Sequence, residues 1–191
     1  MTDKEILKTL EKTGALLSGH FELRSGLHSN RFFQCANVLR YPRVAGRLCE
    51  ELTARARAAK ALDGGVDGVI SPALGGILVG HEVARALDVK CVFAEKQDGA
   101  LVMRRFTLKP GERYVVAEDV ITRGGRVQET IDLVKAADAE VVAVLVMVDR
   151  SAGQAVFPYP TFSLLHMAPE VWEPAACPLC ARNEPFVHPG S

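Results

Sequence analysis

The sequence predicts an α/β fold in which a central, mostly parallel sheet is flanked by helices and preceded by a small β-containing unit. Three observations predict it. From residue 68 onward, short β-favouring apolar runs alternate with segments of helical periodicity, as in βαβ units. Residues 141–148 are continuously apolar, which is typical of a strand buried on both faces. Adjacent glycines follow two of the predicted strands, where parallel sheets bind their ligands.

The N-terminal part of the chain predicts two helices with a β-hairpin between them. Thr2 and Glu5 form a capping-box pattern for a short helix that ends near Gly14. Residues 21–34 alternate around a Ser-Gly pair, which predicts the hairpin. Pro42 fits the first turn of the second helix, where apolar residues recur along one face.

The rest of the chain alternates between strands and helices. Predicted strands cover 68–71, 90–94, 114–117 and 141–148, and predicted helices cover 77–87 and begin again near Arg126. Residues 95–103 are polar and predict a loop, after which residues 104–108 predict a β-ribbon. Proline-rich sequence from residue 169 onward predicts an extended tail on the body of the protein.

Composition and charge limit the classes of protein to which this chain can belong. Hydrophobic residues make up 48% of the 191 residues and charged residues 24%, which is ordinary for a globular protein. The formal net charge is zero, which argues against a nucleic-acid or membrane partner. No apolar run approaches the roughly 20 residues that span a bilayer, and residues 1–5 lack the pattern of a secretory signal. We therefore expect a cytoplasmic protein.

Residues 114–126 carry the strongest functional signal. The predicted strand ends in two carboxylates, Glu118 and Asp119, and a loop with Gly124 and Gly125 then leads into a helix. Alone, an acidic pair or a Gly-Gly would be an ordinary strand end and turn. Together, a loop that delivers backbone N–H groups to a helix N-terminus suits a phosphate, and the carboxylates suit sugar hydroxyls or a divalent cation. The combination predicts a phosphorylated sugar as ligand.

Two other predicted loops lie at the same edge of the sheet. Gly75-Gly76 precedes a helix and would either seat a second anion, such as pyrophosphate, or allow close helix packing. The other loop carries Lys96, with Arg104 and Arg105 shortly after it, and without the neighbouring motif it would be a solvated basic turn.

The C-terminal cysteines leave two interpretations open. Cys177 and Cys180 have the spacing of a metal knuckle, but no second CxxC or His pair completes four ligands. His188 and Cys35 could join them only through folding. A disulfide framework is not expected in a chain of this size and compartment. We therefore favour a plain structural tail, with a zinc site as the alternative.

Two segments carry a resemblance to a known family. Residues 114–126 resemble the phosphoribosyl pyrophosphate (PRPP) signature of the type I phosphoribosyltransferases, with two acidic residues, two apolar residues and Thr-x-Gly-Gly after the strand. Phe-x-Leu-Arg-Ser-Gly-x-x-Ser, followed by Phe32-Phe33, resembles the hood of the orotate phosphoribosyltransferase family. The resemblance extends over nearly the whole chain. It implies a single domain of that fold, with the hood at about 1–40, the core at about 41–168 and a tail at 169–191.

The resemblance implies an activity, a cofactor and a set of site residues. The implied reaction joins orotate to PRPP, giving orotidine 5′-monophosphate and pyrophosphate in pyrimidine biosynthesis, with Mg²⁺ and a homodimer that shares its active sites. The implied PRPP-binding residues are Lys96, Glu118, Asp119, Val120, Ile121, Thr122, Arg123, Gly124, Gly125 and Arg126. The implied orotate-binding residues are Arg24, Phe32, Phe33, Thr122 and Arg150. Lys96 and Asp119 would be catalytic, with Lys96 reaching the neighbouring subunit's site, and Glu118 and Asp119 would hold Mg²⁺ through PRPP.

The chain departs from the family pattern around the expected pyrophosphate. Glu95 stands where many relatives have arginine, and Gly75 stands where many have a pyrophosphate-binding lysine. The loop after Lys96 also lacks their Lys-x-His end. Our hypothesis is that Arg104 or Arg105 replaces the lost charge. Two rival functions remain: the same reaction with a purine base, and a regulatory protein that binds PRPP together with RNA or DNA.

Overall fold

The computed structural model of the protein describes residues 1–23 and 25–189. In chain order, the elements are α1 (Asp3–Lys12), β1 (Leu16–Glu22), β2 (His28–Phe33), α2 (Ala36–Leu39), α3 (Pro42–Ala58), β3 (Gly68–Pro72), α4 (Gly75–Leu87), β4 (Lys90–Gln97), β5 (Ala100–Val102), β6 (Arg113–Ile121), α5 (Gly125–Ala136), β7 (Glu140–Asp149), β8 (Thr161–His166), β9 (Val171–Trp172) and α6 (Pro178–Ala181). Among the described residues, no helix is both long and apolar enough to cross a membrane.

A six-stranded sheet forms the body of the protein, with the strand order β5-β4-β3-β6-β7-β8. Every neighbouring pair is parallel except β4 and β5. The predicted α/β fold with a mostly parallel sheet is therefore confirmed. Because parallel strands run in the same direction, the carboxyl ends of β3, β6 and β7 lie together at one edge.

The core lies in two layers, one on each face of this sheet. Alternate residues of β6 point to opposite faces, as the pleat of a strand requires. Val115 and Ala117 join the cluster that includes apolar residues of α1, α3 and α4. Tyr114 and Val116 join the second cluster, which is covered by apolar residues of α5. Helices on both faces explain why residues 114–117 of β6 and 141–148 of β7 are continuously apolar.

A second, smaller sheet joins the two ends of the chain. β1 and β2 form the predicted hairpin, and β9 from the tail adds antiparallel to β2. Further along the tail, the Val187 amide donates to the His20 carbonyl at 3.0 Å, and the Glu22 amide donates to the Val187 carbonyl at 3.1 Å. We refer to β1, β2 and β9 as the small sheet. The predicted extended tail therefore contributes a strand and backbone hydrogen bonds to it.

Two predictions for residues 95–108 are wrong. The expected polar loop at 95–103 is a hairpin, because β4 continues to Gln97 and pairs antiparallel with β5. Its turn is Asp98-Gly99, and both residues have positive φ, 50° and 93°, as the tight turns that favour Asp-Gly require. Residues 104–108 form no strand, so the expected β-ribbon is absent from this part of the described chain. The strand β8, which lies between proline-rich and tail sequence, was not predicted.

One glycine of α4 sets how closely this helix packs on the sheet. A Cβ atom at Gly80 would lie 2.6 Å from the Ser71 hydroxyl oxygen and 3.0 Å from its Cβ atom. We expect Gly80→Ala to lower the free energy of unfolding by about 1–3 kcal/mol, because a buried neighbour must move. Urea denaturation measures the change.

Gly125→Ala is the matched control for that substitution. Gly125 also lies in a helix, but a Cβ atom there meets open space. The free energy of unfolding of Gly125→Ala should therefore stay within about 1 kcal/mol of the parent value or exceed it, because alanine has a higher helix propensity than glycine. Equal destabilisation by the two substitutions would contradict the packing argument.

Candidate active site

A cavity of about 740 Å³ opens at the carboxyl edge of the large sheet. Four separate segments line it: the end of β2, the loop before α4, the end of β6 with the start of α5, and the residue after β7. The lining residues are Phe32, Phe33, Gln34, Leu74, Gly75, Glu118, Asp119, Val120, Ile121, Thr122, Arg123, Gly124, Gly125, Arg126, Val127, Glu129 and Arg150.

Two carboxylates near the end of β6 form the acidic side of this cavity. Glu118 is buried, and its Oε1 atom accepts a hydrogen bond from the Asp119 amide at 3.0 Å. Asp119 is half-buried, and its Oδ1 atom accepts from the Val120 amide at 2.8 Å. Burial, together with the neighbouring negative charge of Asp119, raises the pKa of Glu118 well above its usual value. This pair therefore favours a ligand that brings hydroxyl groups or a cation.

The N-terminus of α4 lies directly against these carboxylates. A Cβ atom at Gly75 would be 2.7 Å from Asp119 Oδ2, and one at Gly76 would be 3.0 Å from Glu118 Oε1. Side chains at either position would displace the acidic pair, so the two glycines permit the close approach. The loop before the helix contains a cis peptide bond between Ala73 and Leu74.

The loop between β6 and α5 forms the second wall. Gly124 precedes the helix with φ of +80°, and a Cβ atom there would lie 2.9 Å from the Phe157 ring. Both the backbone conformation and the close contact require glycine at this position. The first helical hydrogen bond runs from the Gln128 amide to the Gly124 carbonyl, so the amides of the first turn are available to an anion. Arg126 donates to the Ala73 carbonyl at 2.8 Å and joins this loop to the one before α4.

An arginine and a phenylalanine of the cavity lining face each other. The Arg150 guanidinium carbon lies 5.6 Å from the centre of the Phe33 ring. The Arg150 amide donates to the Ile121 carbonyl, which fixes this residue at the end of β7. Its Nε atom is buried and has no hydrogen-bond partner in the described part of the chain. Burial lowers the pKa of Arg150, but a guanidinium remains charged at neutral pH. This group is suited to a planar anionic ligand.

Most of the residues expected in the site line this cavity. Arg24 lies outside the described residues. Lys96 is exposed on the β4–β5 hairpin and is not among the cavity-lining residues, so its role stays a prediction. Arg105 forms an ion pair with Glu95, with 2.9 Å between Nε and Oε2, instead of facing the cavity.

Four lining residues were not expected from the sequence: Gln34, Leu74, Val127 and Glu129. Each lies within a few residues of a predicted site residue, and that proximity is the signal that could have found them. Gln34 follows Phe33 directly, and Leu74 precedes the first of the two glycines of α4.

The class of protein follows from this fold and cavity together with a family match. Residues 39–174 match the family described as "Phosphoribosyl transferase domain". The edge of the parallel sheet presents an acidic pair beside a glycine loop at a helix N-terminus. The sequence resemblance to this class predicts that arrangement. The fold and the site thus define a phosphoribosyltransferase.

Curated relatives narrow the class. The orotate phosphoribosyltransferase of Desulforamulus reducens is 50% identical over 192 residues, covering 100% of this chain and 98% of the relative. The orotate phosphoribosyltransferase of Chlorobaculum parvum is 48% identical, with 100% and 97% covered. The chain belongs to the orotate phosphoribosyltransferase family.

Solved structures agree with this fold. The orotate phosphoribosyltransferase from Aeropyrum pernix superposes with a TM-score of 0.69 at 24% identity, covering 85% of this chain and 93% of that one. An adenine phosphoribosyltransferase from Rhodothermus marinus gives 0.66 at 20% identity, covering 86% and 99%. At these identities, the likenesses show the fold and do not distinguish the base.

The raised pKa of Glu118 predicts a pH-dependent cost to stability. A carboxyl group whose pKa is raised by folding stabilises the protein below its unfolded pKa, and this contribution is lost as the pH rises through the folded value. We therefore expect the melting temperature of Glu118→Gln minus that of the parent, both without ligand or Mg²⁺, to increase as the pH rises from about 4 to about 8.

Thermal unfolding over this pH range measures the difference between variant and parent. Glu129→Gln, which also removes an acidic side chain from the cavity lining but at an exposed position, is the control. A difference for Glu118→Gln that stays constant or falls with rising pH would show that burial does not penalise the ionised carboxylate.

Proposed function

We propose that this protein transfers the 5-phosphoribosyl group of PRPP to orotate, giving orotidine 5′-monophosphate and pyrophosphate in pyrimidine biosynthesis. The observation that carries the proposal is one cavity with two unlike walls. A phosphate-binding loop and an acidic pair form one wall, and Arg150 with Phe33 forms the other. The first wall suits a phosphorylated ribose, and the second suits a planar base that carries a carboxylate. Full-length identity to curated orotate phosphoribosyltransferases supports the choice of base.

The phosphoribosyl side of the cavity is assigned first. The 5′-phosphate binds the loop from Thr122 to Arg126, where backbone amides at the start of α5 favour an anion. Glu118 and Asp119 accept hydrogen bonds from the ribose hydroxyls. The pyrophosphate lies by the N-terminus of α4, where Gly75 permits close approach and the helix dipole favours negative charge.

The same acidic pair is suited to Mg²⁺ bound through PRPP. Mg²⁺ prefers oxygen ligands and is typically held by one or two carboxylates together with substrate phosphates. Glu118 and Asp119 offer carboxylate oxygens in the cavity wall, and burial beside Asp119 raises the pKa of Glu118, which a bound cation would offset. When bound, the ion stabilises negative charge on the leaving pyrophosphate.

Orotate is assigned to the wall that Arg150 and Phe33 form. A guanidinium fork can pair with the planar carboxylate of orotate, and the partnerless Nε atom of Arg150 is one of the available donors. Phe32 and Phe33 offer aromatic surface to the pyrimidine ring. Thr122 also lines the cavity, and we assign it to the base as well as to the 5′-phosphate. Arg24 is also assigned to the orotate side, as the resemblance to the family implies.

The reaction needs positioning more than a nucleophilic side chain. A ring nitrogen of orotate loses its proton and forms a bond to C1′ of the ribose while the bond from C1′ to pyrophosphate breaks; the proton passes to water or to the released pyrophosphate. Positive charge develops on the ribose and negative charge on the leaving group. Asp119 holds the ribose in line, and the two walls fix the reacting atoms against each other.

Lys96 is proposed to reach the pyrophosphate from a neighbouring subunit of a homodimer. It is exposed on a hairpin and does not line its own chain's cavity, which suits a group that acts across an interface or after the hairpin closes over the substrates. Arg104 is exposed beside the same hairpin and is the stronger candidate for additional charge, because Arg105 already pairs with Glu95.

A cytoplasmic location is also proposed. None of the five cysteines, all of which lie in the described part of the chain, forms a disulfide, as is usual in the reducing cytoplasm.

A substrate assay tests the proposed activity. Orotate absorbance is followed with PRPP and Mg²⁺, with and without EDTA, beside parallel assays with adenine, hypoxanthine and uracil. Loss of orotate alone, dependent on the metal, is the expected result. Turnover of adenine or hypoxanthine instead would identify a purine enzyme, and PRPP binding without turnover of any base would identify a regulatory protein.

Arg150→Met tests the orotate wall. Without the guanidinium, we expect the KM for orotate to rise at least about tenfold, equivalent to roughly 1.4 kcal/mol, while the KM for PRPP changes little. Arg47→Met removes an exposed arginine elsewhere and should behave like the parent. An unchanged KM for orotate would remove Arg150 from the proposed site.

Lys96→Ala tests the proposed catalytic cation. Turnover should fall by far more than orotate binding weakens, because the lysine is assigned to charge on the leaving group. Lys109→Ala, also at an exposed lysine, is the control. Similar turnover with a raised KM would contradict the assignment.

Mixed dimers test the sharing of active sites. Lys96→Ala and Asp119→Asn protomers, each inactive alone, should regain turnover on mixing, because one site of the mixed dimer then has both residues intact. A mixture as inactive as its components would contradict a shared site.

A further inference from the structure

Four side chains from opposite ends of the chain meet at the small sheet. They are His20 on β1, His28 on β2, and Cys177 and Cys180 at the start and within α6. One ligand atom from each residue lies within 4.8 Å of all the others. The two histidines and Cys177 are buried, with only 3–5% of their surface exposed. We propose that these residues bind a structural zinc ion.

The distances between the four atoms suit a tetrahedral ion. Zinc bonds of about 2.3 Å to sulfur and about 2.0–2.1 Å to nitrogen imply sulfur–nitrogen edges of about 3.6 Å. His28 Nδ1 lies 3.2 Å from Cys180 Sγ, and His20 Nε2 lies 3.5 Å from Cys177 Sγ and 3.7 Å from Cys180 Sγ. The two nitrogen atoms are 2.7 Å apart, against about 3.3 Å in a regular zinc tetrahedron, so a small rotation of one imidazole completes the geometry.

The register of the hairpin explains how the two histidines meet. Glu22 pairs with His28 across β1 and β2, and His20 is two residues before Glu22, in the irregular part of β1 between Ser18 and Phe21. The two imidazoles meet next to this pair, with 2.7 Å between His20 Nε2 and His28 Nδ1. The cysteines are three residues apart around the single turn of α6, which is the usual spacing of a zinc knuckle.

The surroundings of His20 prepare it as a ligand. Its Nδ1 atom is 2.7 Å from the Glu184 carbonyl oxygen. An N–H donated to that carbonyl leaves the Nε2 lone pair directed at the other three side chains, as in zinc sites where a carbonyl orients the imidazole. Phe186 packs against both imidazoles, with ring centres 5.5 Å from His20 and 4.9 Å from His28, and forms an apolar cover.

His188 and Cys35, which could have joined the cysteines only through folding, lie elsewhere. His188 faces Glu22, with 3.4 Å between Nε2 and Oε2. Cys35 lies at the active site, with its sulfur 3.9 Å from the Asp119 carbonyl oxygen. Two thiols with two imidazoles in a tetrahedral arrangement favour zinc over Mg²⁺ or Ca²⁺, which prefer oxygen ligands.

The proposed ion is structural because it lies away from the cavity. His28 begins β2 and Phe33 ends it, so about 17 Å of strand separates the proposed ion from the orotate wall. The ion would fasten α6 to the hairpin that carries Phe32 and Phe33 at its far end. This function is independent of the proposed transferase activity.

Metal content is measured first, on full-length protein purified without a polyhistidine tag. Elemental analysis should find one tightly bound zinc ion per chain. Cys177→Ser and His28→Gln should lose it, while the control variants Cys91→Ser and His81→Gln should retain it. Metal-free parent protein with a Cys177–Cys180 disulfide, or zinc retained in both ligand variants, would overturn the proposal.

Two further measurements use the parent chain and so do not depend on the folding of variants. Replacement of zinc by Co²⁺ should give the intense visible absorption of a tetrahedral site and a thiolate charge-transfer band. Removal of zinc by a chelator should lower the melting temperature by at least about 5 °C, and Zn²⁺ but not Mg²⁺ should restore it. An octahedral Co²⁺ spectrum, or a melting temperature that chelation leaves unchanged, would contradict a structural zinc site.

Discussion

The parallel pairing of β6 with β3 on one side and β7 on the other determines the active site. It brings together three strand ends: the loop before α4, the acidic pair with the glycine loop that follows it, and Arg150. These groups lie far apart in the sequence, and only the pairing of the strands brings them together. The apolar residues on both faces of β6 hold the strand in place, so the same burial that stabilises the fold also fixes the distances across the cavity.

The site contains features that oppose stability, and each suits a ligand. Glu118 is buried beside a second carboxylate, and the Arg150 Nε atom is buried without a partner among the described residues. A phosphoribosyl group and a carboxylate-bearing base would satisfy these groups, which supports the view that the cavity is complementary to its substrates. The glycines at the start of α4 and α5 permit the close approaches that this arrangement needs.

The sequence predicted most of the fold because its signals are local: apolar periodicity, the capping box at Thr2, and the strand–loop–helix pattern around Asp119. The sequence does not predict the hairpin at Asp98-Gly99, because β4 ends in polar residues, 95–97, and a polar run is typical of a loop. It also did not predict the meeting of His20 and His28 with Cys177. That meeting depends on strand register and on where the tail returns, which no local pattern specifies. The available signal was one histidine on each strand of the hairpin, His20 before the turn and His28 after it.

The central claim is that the phosphate loop and Arg150 bind the two ends of one nucleotide. A crystal structure with orotidine 5′-monophosphate tests it most directly. We expect the 5′-phosphate within hydrogen-bond distance of the backbone amides between Thr122 and Arg126, with the base carboxylate on the Arg150 guanidinium. A phosphate bound elsewhere, or a carboxylate turned away from Arg150 in a fully occupied site, would contradict it.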